Sequence, residues 1–283
     1  MKKLLLASAL ALTTSVAVAD PIYIDIGADF GGNDDFAVDT NTTGWLDQLT
    51  LIYQSNSTVI DLDDSFDLSD GDSITTNGGF IDGDVSTLET NIITGFNPVE
   101  TLFGGPSDNG YGGDWGITFQ ITDLIGTIEG GANQYLSYTS GAISFFYFQA
   151  GMTATTDFIE LFTIDVTGSG QTASGSYVQG ELGNYGTEDV NGVVAGNVFN
   201  TAFGGFKEYS ESGNLPSVYA YIDYNTEDPV AELLGFNQDQ HAILGINGQH
   251  DGSIAFNVPE PTSLAILGLG LLGFAASSRK KSA

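Results

Sequence analysis

The chain has 283 residues, of which 36 are acidic and 6 basic, and its formal net charge is −30. Five of the six bases lie in the terminal segments, so residues 20–258 carry 35 acids, one base (Lys207) and a formal charge of −34. Phosphate contacts require lysine or arginine side chains, so this composition excludes nucleic acid as a partner. The absence of cysteine excludes disulfides, thiolate nucleophiles and cysteine-ligated metal sites.

The first 19 residues have the three zones of a secretory signal peptide. The positive pair Lys2-Lys3 precedes an apolar run over residues 4–12, and the small residues Ala17 and Ala19 come just before Asp20. The apolar run is much shorter than the roughly 20 residues of an ordinary transmembrane helix. We therefore predict a signal helix in residues 1–19, cleavage before Asp20, and export of the remaining chain.

Residues 20–258 are predicted to form one all-β domain, an antiparallel β-sandwich or a jelly roll. Short segments rich in β-branched and aromatic residues alternate with glycine pairs and Asn-Gly turn signals, which is typical of strands joined by tight turns. The Asn-Gly pairs are Asn77-Gly78, Asn109-Gly110, Asn191-Gly192 and Asn247-Gly248. Single strands are predicted over residues 115–122, 143–148, 158–166, 176–182 and 218–224.

Three other segments carry weaker predictions. Residues 48–54 and 57–62 have strand composition on either side of Ser55-Asn56, which predicts a hairpin that turns there. The serine- and glycine-rich residues 168–176 are expected to form a long loop. Residues 229–236 are the one interior segment for which we expect a short helix.

An acidic segment, residues 61–72, is the strongest candidate for a metal site. It places six carboxylates within twelve residues: Asp61, Asp63, Asp64, Asp67, Asp70 and Asp72. Ca²⁺ takes about six to eight oxygen ligands from a flexible loop. The EF-hand pattern fails because Phe66 stands where that loop turns on glycine and no glutamate closes it. Both Ca²⁺ binding in another loop geometry and a solvated face with a diffuse cation atmosphere remain open.

Two further acidic groups accompany this segment. They comprise Asp29, Asp34, Asp35 and Asp39 in one group and Asp82 and Asp84 in the other.

Sequence motifs for catalysis are absent. There is no Gly-x-Ser-x-Gly and no His-Glu-x-x-His. The only histidines, His241 and His250, lack metal-ligand spacing and are expected to be solvated loop residues. Trp115 beside Tyr111 fits a sugar-stacking corner or, more commonly, a β-sandwich core. We therefore expect a protein that is not an enzyme. The alternative is a secreted carbohydrate-active enzyme, or a carbohydrate-binding module, that uses acidic and aromatic residues.

The C-terminal segment, residues 259–283, has the layout of a second terminal signal. Pro259-Glu260-Pro261 precedes an apolar run over residues 264–276 and a basic end made of Arg279, Lys280 and Lys281. As a helix, residues 263–278 would span about 24 Å at roughly 1.5 Å per residue. The hydrocarbon core of a bilayer is about 30 Å thick, so this hydrophobic helix would cross the inner membrane only marginally. The basic end would stay in the cytoplasm.

This C-terminal segment resembles a PEP-CTERM sorting signal of Gram-negative bacteria. The resemblance implies recognition by an exosortase, with processing at or near Pro259-Glu260-Pro261. It implies a protein that is anchored transiently in the inner membrane through its C-terminal helix and then reaches the cell surface or the extracellular matrix. It further implies association with exopolysaccharide in a biofilm or floc. The aromatic strands and Gly-Asn-Asp turns of residues 20–258 are similar to those of flocculation-associated PEP-CTERM proteins.

Overall fold

The computed structural model describes residues 21–30, 42–80, 85–97, 108–131, 134–150, 158–172, 175–212, 219–226 and 231–258. Both terminal signals, including the predicted cleavage site at Asp20 and the two predicted terminal helices, lie outside these ranges. The same holds for the acidic positions Asp34, Asp35, Asp39, Asp82 and Asp84. In the part of the chain that is described, no helix is long and apolar enough to cross a membrane.

The described chain is mostly strand with very little helix, which confirms the all-β prediction. Helix α1 spans Phe206–Glu211, and 3₁₀ helices cover Val85–Thr90 and Ala195–Asn197. The strands are β1 (Tyr23–Ile24), β2 (Gln48–Ile60), β3 (Ser73–Gly79), β4 (Ile92–Asn97), β5 (Trp115–Glu129), β6 (Tyr135–Gln149), β7 (Ile159–Gln171), β8 (Ser176–Gly183), β9 (Asp189–Val190), β10 (Val193–Val194), β11 (Phe199–Thr201), β12 (Gly204–Gly205), β13 (Tyr219–Thr226), β14 (Ala231–Phe236) and β15 (Ala242–Asn257).

Eight of these strands form one closed antiparallel sheet. Its order is β2, β3, β5, β6, β7, β8, β13 and β15, and β15 pairs back onto β2 over residues 243–254. Strand β4 pairs with the first half of β2, and β14 pairs with the first half of β15. Closure pairs both edges of the sheet, so one sheet encloses its own core. The antiparallel prediction is confirmed, whereas the two packed layers of a sandwich or jelly roll are not.

The five predicted single strands are confirmed, because their described residues belong to β5, β6, β7, β8 and β13, except for Phe158, which directly precedes β7. The predicted hairpin at Ser55-Asn56 is wrong because β2 runs through it without a break. Odd-numbered residues from Leu49 to Val59 are buried along β2, so Ser55 occupies a core position. The Asn56 side-chain amide donates to the Asn247 side-chain oxygen of β15 at 2.8 Å. Pairing across the sheet thus outweighs the local turn preference of these residues.

Two other local predictions are also corrected. The expected long loop over residues 168–176 is short, because β7 continues to Gln171 and β8 begins at Ser176. The helix expected over residues 229–236 is replaced by β14, which pairs with β15.

Among the Asn-Gly pairs, Asn191-Gly192 forms the predicted turn, with φ values of 51° and 95° between β9 and β10. Asn109-Gly110 also lies in a turn, before β5. Asn77-Gly78 and Asn247-Gly248 lie inside β3 and β15.

Aromatic side chains fill one half of the closed sheet. Phe145 of β6 stacks between Phe119 and Phe162, with ring centroids 5.8 and 4.9 Å away. Phe162 also contacts Phe199 of β11 and Phe206 of α1, so these two elements cover that end of the sheet.

Trp115 and Tyr111 belong to this core. Both side chains are about 1% exposed. The Trp115 indole donates to the Asn109 carbonyl at 2.8 Å, and the Tyr111 hydroxyl donates to the Ile93 carbonyl at 2.5 Å. The core interpretation of this pair is therefore correct, and the sugar-stacking corner is not formed here.

Candidate functional site

The acidic segment forms the connection between β2 and β3, and we call residues 61–72 the acidic loop. Asp61 follows the last residue of β2, and Asp72 precedes the first residue of β3. Both side chains are buried, at 0% and 1% exposure. Buried carboxylates are rare unless hydrogen bonds satisfy them, so these two positions differ in kind from the exposed acids between them.

Backbone amides of the loop supply those hydrogen bonds. The Asp61 carboxylate accepts from the amides of Ser65 at 3.2 Å and Phe66 at 2.7 Å. The Asp72 carboxylate accepts from the amides of Leu62 at 2.9 Å and Ser69 at 2.8 Å. Each buried carboxylate therefore holds a stretch of loop backbone, and together they fix the loop over the end of the sheet.

The loop backbone turns sharply at two positions. Asp64 and Phe66 have φ values of 59° and 63°, in the left-handed region that favours glycine. Phe66 thus adopts a glycine-like conformation at the position where an EF-hand would carry glycine. The hydrogen bond from its amide to Asp61 offsets part of the strain.

Three of the six predicted metal ligands converge. Carboxylate oxygens of Asp61, Asp63 and Asp72 lie within 4.8 Å of one another. The exposed Asp63 carboxyl has a lowered pKa, mainly because it is hydrogen-bonded to Ser65, so it is ionised at neutral pH. Three carboxylates at this spacing have the chemistry and the proximity that a hard cation such as Ca²⁺ uses. The calcium interpretation stays a prediction.

The other three predicted ligands do not belong to this group of three carboxylates. Asp64 lies 3.2 Å from the Nδ1 atom of His241. Asp70 accepts from the amide of Gly131 at 2.8 and 3.0 Å, which ties the acidic loop to the end of β5. Asp67 is exposed. The six-carboxylate cluster of the sequence is therefore one group of three and three separate side chains.

The two histidines lie in different environments. His241 is partly exposed just before β15, in keeping with the predicted loop position. For His250 the prediction of a solvated loop is wrong, because it lies within β15 with its side chain 7% exposed. Its Nε2 atom is 2.6 Å from the Ser55 hydroxyl, and its ring stacks on Tyr53 at a centroid distance of 4.4 Å. The period-two pattern of β15 places His250 on the inner face together with Ile254.

A pair of surface tyrosines was missed by the sequence reasoning. Tyr177 of β8 and Tyr221 of β13 stack with ring centroids 4.9 Å apart and an interplanar angle of 21°. Their chain neighbours Val178 and Ile222 are buried, so both tyrosines face outward, and Tyr221 is 38% exposed. Partial burial, and then the nearby Asp223, raise the pKa of Tyr221. Only the pairing of β8 with β13 brings the two rings together.

Comparison with known proteins assigns the C-terminal segment. The family of the PEP-CTERM protein-sorting motif matches residues 257–280, a range that contains Pro259-Glu260-Pro261 and the first two residues of the basic end. No curated protein and no solved structure matches the chain. The motif supports export, a transient membrane anchor and processing by an exosortase. The chain therefore carries a PEP-CTERM protein-sorting motif over residues 257–280.

Proposed function

We propose that this protein acts at the cell surface or in the extracellular matrix and is not an enzyme. Its closed-sheet domain associates with exopolysaccharide in a biofilm or floc, as a protein of the flocculation-associated kind. The observation that carries this proposal is the sorting motif at residues 257–280. A signal that directs a protein through an exosortase gives the folded domain a place of action outside the inner membrane.

The surface of the domain supports a polysaccharide partner. The outward-facing pair of Tyr177 and Tyr221 offers two aromatic rings with polar hydroxyl tips, a combination suited to a ligand that is apolar on its ring faces and polar at its edges. The many surface carboxylates attract divalent cations, which can bridge them to the carboxylates of an acidic polysaccharide.

The enzyme alternative has one observation in its favour, the converging carboxylates of the acidic loop. A glycosidase needs one carboxyl group as acid and another as nucleophile or base on either side of an accessible sugar. Asp61 and Asp72 are buried and accept hydrogen bonds from the backbone, so they hold the loop and do not face a substrate. We therefore propose a binding role for the domain.

Replacement of Pro259, Glu260 and Pro261 by alanine tests the sorting step. We expect the variant to be exported but to stay in the membrane fraction at its unprocessed mass, because targeting motifs are recognised by a dedicated receptor. Fractionation and mass spectrometry of the producing cells measure this. A Thr262→Ala variant, altered next to the motif, should be processed normally. Equal surface levels of the triple variant and the unchanged protein would contradict the assignment.

Replacement of Tyr221 by alanine tests the surface that we propose for polysaccharide. We expect about five- to tenfold weaker binding to exopolysaccharide purified from the producing bacterium, since one aromatic contact contributes about 1 kcal/mol. Co-sedimentation measures the affinity. Phe203→Ala removes another exposed ring, 49% exposed in the turn between β11 and β12, and should leave binding unchanged. Identical losses in both variants would show that the tyrosine pair has no special role.

A further inference from the structure

The half of the closed sheet opposite the aromatic core is hollow. A cavity of about 290 Å³ lies there, among side chains of β2, β3, β5, β6, β8 and β15. An apolar cavity of about 150 Å³ is enough to hold benzene, and ligand pockets begin near 300 Å³. The space therefore matches a compound of one or two rings.

One wall of the cavity is a row of buried polar side chains. The hydroxyls of Ser57 and Thr76 are 2.7 Å apart, and Thr76 is 2.7 Å from the hydroxyl of Tyr138. Beside them, Ser55 contacts His250. Three hydroxyls joined by two hydrogen bonds leave one hydroxyl hydrogen and several lone pairs for another partner. This wall can therefore both donate to and accept from a ligand.

The protonation of Tyr138 is fixed by its surroundings. Burial raises the pKa of Tyr138 to about 12, so its hydroxyl keeps its hydrogen at any physiological pH. Apolar side chains lie beside this row. Leu124 of β5 is the cross-strand partner of Thr76, and Ile121 of β5 and Val178 of β8 also line the cavity. A ligand is thus offered an apolar face and a hydrogen-bonding edge.

The lack of charged side chains in the described wall of the cavity restricts the class of ligand further. Among the described residues that line the cavity, none is an aspartate, glutamate, lysine or arginine. A buried ion without a partner is strongly disfavoured, and the negative field of the whole chain also repels anions. The cavity therefore suits a neutral molecule.

The cavity has an entrance beside the acidic loop. Leu68 of that loop, Gln134 and Ser176 line it, and all three are partly or fully exposed. The Gln134 side-chain amide donates to the Leu68 carbonyl at 2.5 Å, so the loop is attached to the rim. Tyr135, also at the rim, donates to Glu129 at 3.0 Å.

We propose that this cavity is a binding site for a small neutral compound of one or two rings that carries a hydroxyl or carbonyl group. Its ring contacts Leu124 and Val178, and its polar group hydrogen-bonds to the row formed by Ser57, Thr76 and Tyr138. This site lies inside the sheet and is separate from the outward tyrosine pair.

Calorimetric titration of the purified exported protein with 2-naphthol, a neutral two-ring alcohol, tests the proposal. We expect one molecule to bind per chain. Val178→Phe fills the cavity and should weaken binding at least about tenfold, whereas Tyr138→Phe keeps the ring, loses the hydroxyl and should weaken binding about fivefold. Naphthalene-2-carboxylate, which has the same rings and a negative charge, should bind at least about tenfold more weakly than 2-naphthol.

Two controls keep the outcome clear. Circular dichroism must show that each variant is folded, and Phe203→Ala, altered on the outer surface, should bind 2-naphthol as the unchanged protein does. If the unchanged protein does not bind 2-naphthol, or if folded Val178→Phe binds it equally well, the proposal is wrong. Equal affinity for the naphthol and the carboxylate would overturn the assignment to neutral ligands.

Discussion

Replacing Asp72 with alanine is expected to lower the free energy of unfolding by about 3–5 kcal/mol, because two hydrogen bonds to a buried charged acceptor are lost. The amides of Leu62 and Ser69 donate to this carboxylate and have been removed from water with it. Alanine offers them no acceptor, so the acidic loop must open or leave two donors unsatisfied. The loss of unfolding free energy should therefore be several times larger than the loss caused by an ordinary surface substitution.

Urea denaturation of the Asp72→Ala and Asp67→Ala variants measures this effect. Asp67 lies in the same loop, is exposed, and its replacement should change stability by no more than about 0.5 kcal/mol. Equal stabilities of the two variants would show that the buried carboxylate does not hold the loop.

Melting curves with Ca²⁺ and with Mg²⁺ test the calcium prediction separately. A specific site gives a rise in melting temperature with Ca²⁺ that Asp63→Asn abolishes, whereas charge screening gives equal, small rises with both cations.

Raising the pH from 9 to 12 is expected to lower the free energy of unfolding by about 4–6 kcal/mol, because the two most strongly shifted buried tyrosines contribute about 2–3 kcal/mol each. Burial raises the pKa of Tyr138 to about 12, against 10.0 for an exposed tyrosine. Burial also raises the pKa of Tyr111 well above its usual value. Between these limits the unfolded chain loses tyrosine protons that the folded chain keeps. The stabilisation that comes from these buried tyrosines is therefore fully present below pH 10, and it is lost as the pH rises above that value.

Urea denaturation at a series of pH values measures how the free energy of unfolding changes with pH. Tyr138→Phe removes one strongly shifted hydroxyl, so it should reduce the alkaline loss by about 2–3 kcal/mol. At neutral pH the same variant should be less stable by about 1 kcal/mol, because the hydrogen bond to Thr76 is lost. A free energy of unfolding that does not change between pH 9 and 12 would contradict the burial of these hydroxyls.

Local patterns in the sequence predicted much of the secondary structure. The alternation from Trp115 onward gives β5, and the turn at Asn191-Gly192 gives the β9–β10 hairpin. These predictions succeed because side-chain period and positive φ are properties of a few neighbouring residues. The sorting motif was recognisable for the same reason, since its order and composition lie within one short segment.

The closure of the sheet could not be predicted in this way. It depends on β2 pairing with β15, and the contact of Ser55 with His250 joins residues 195 positions apart. Without that pairing, Ser55-Asn56 resembles a turn and His250 a loop residue. The acidic loop shows the same limit, because burial at Asp61 and Asp72 decides which carboxylates converge. Composition alone cannot distinguish them from the exposed Asp67.

The pairing of β15 with β2 has a consequence for the order of events during export. An exported chain emerges from its N-terminal end, so β2 leaves the translocation channel early and its partner leaves last. Until residues 242–257 have crossed, one side of β2 has no neighbour, and such unpaired strands favour aggregation. The sorting motif begins at residue 257, where β15 ends. The strand that completes the fold therefore directly precedes the segment that holds the chain at the membrane. A protein released by cleavage at Pro259-Glu260-Pro261 keeps all of β15 and with it a sheet that can close.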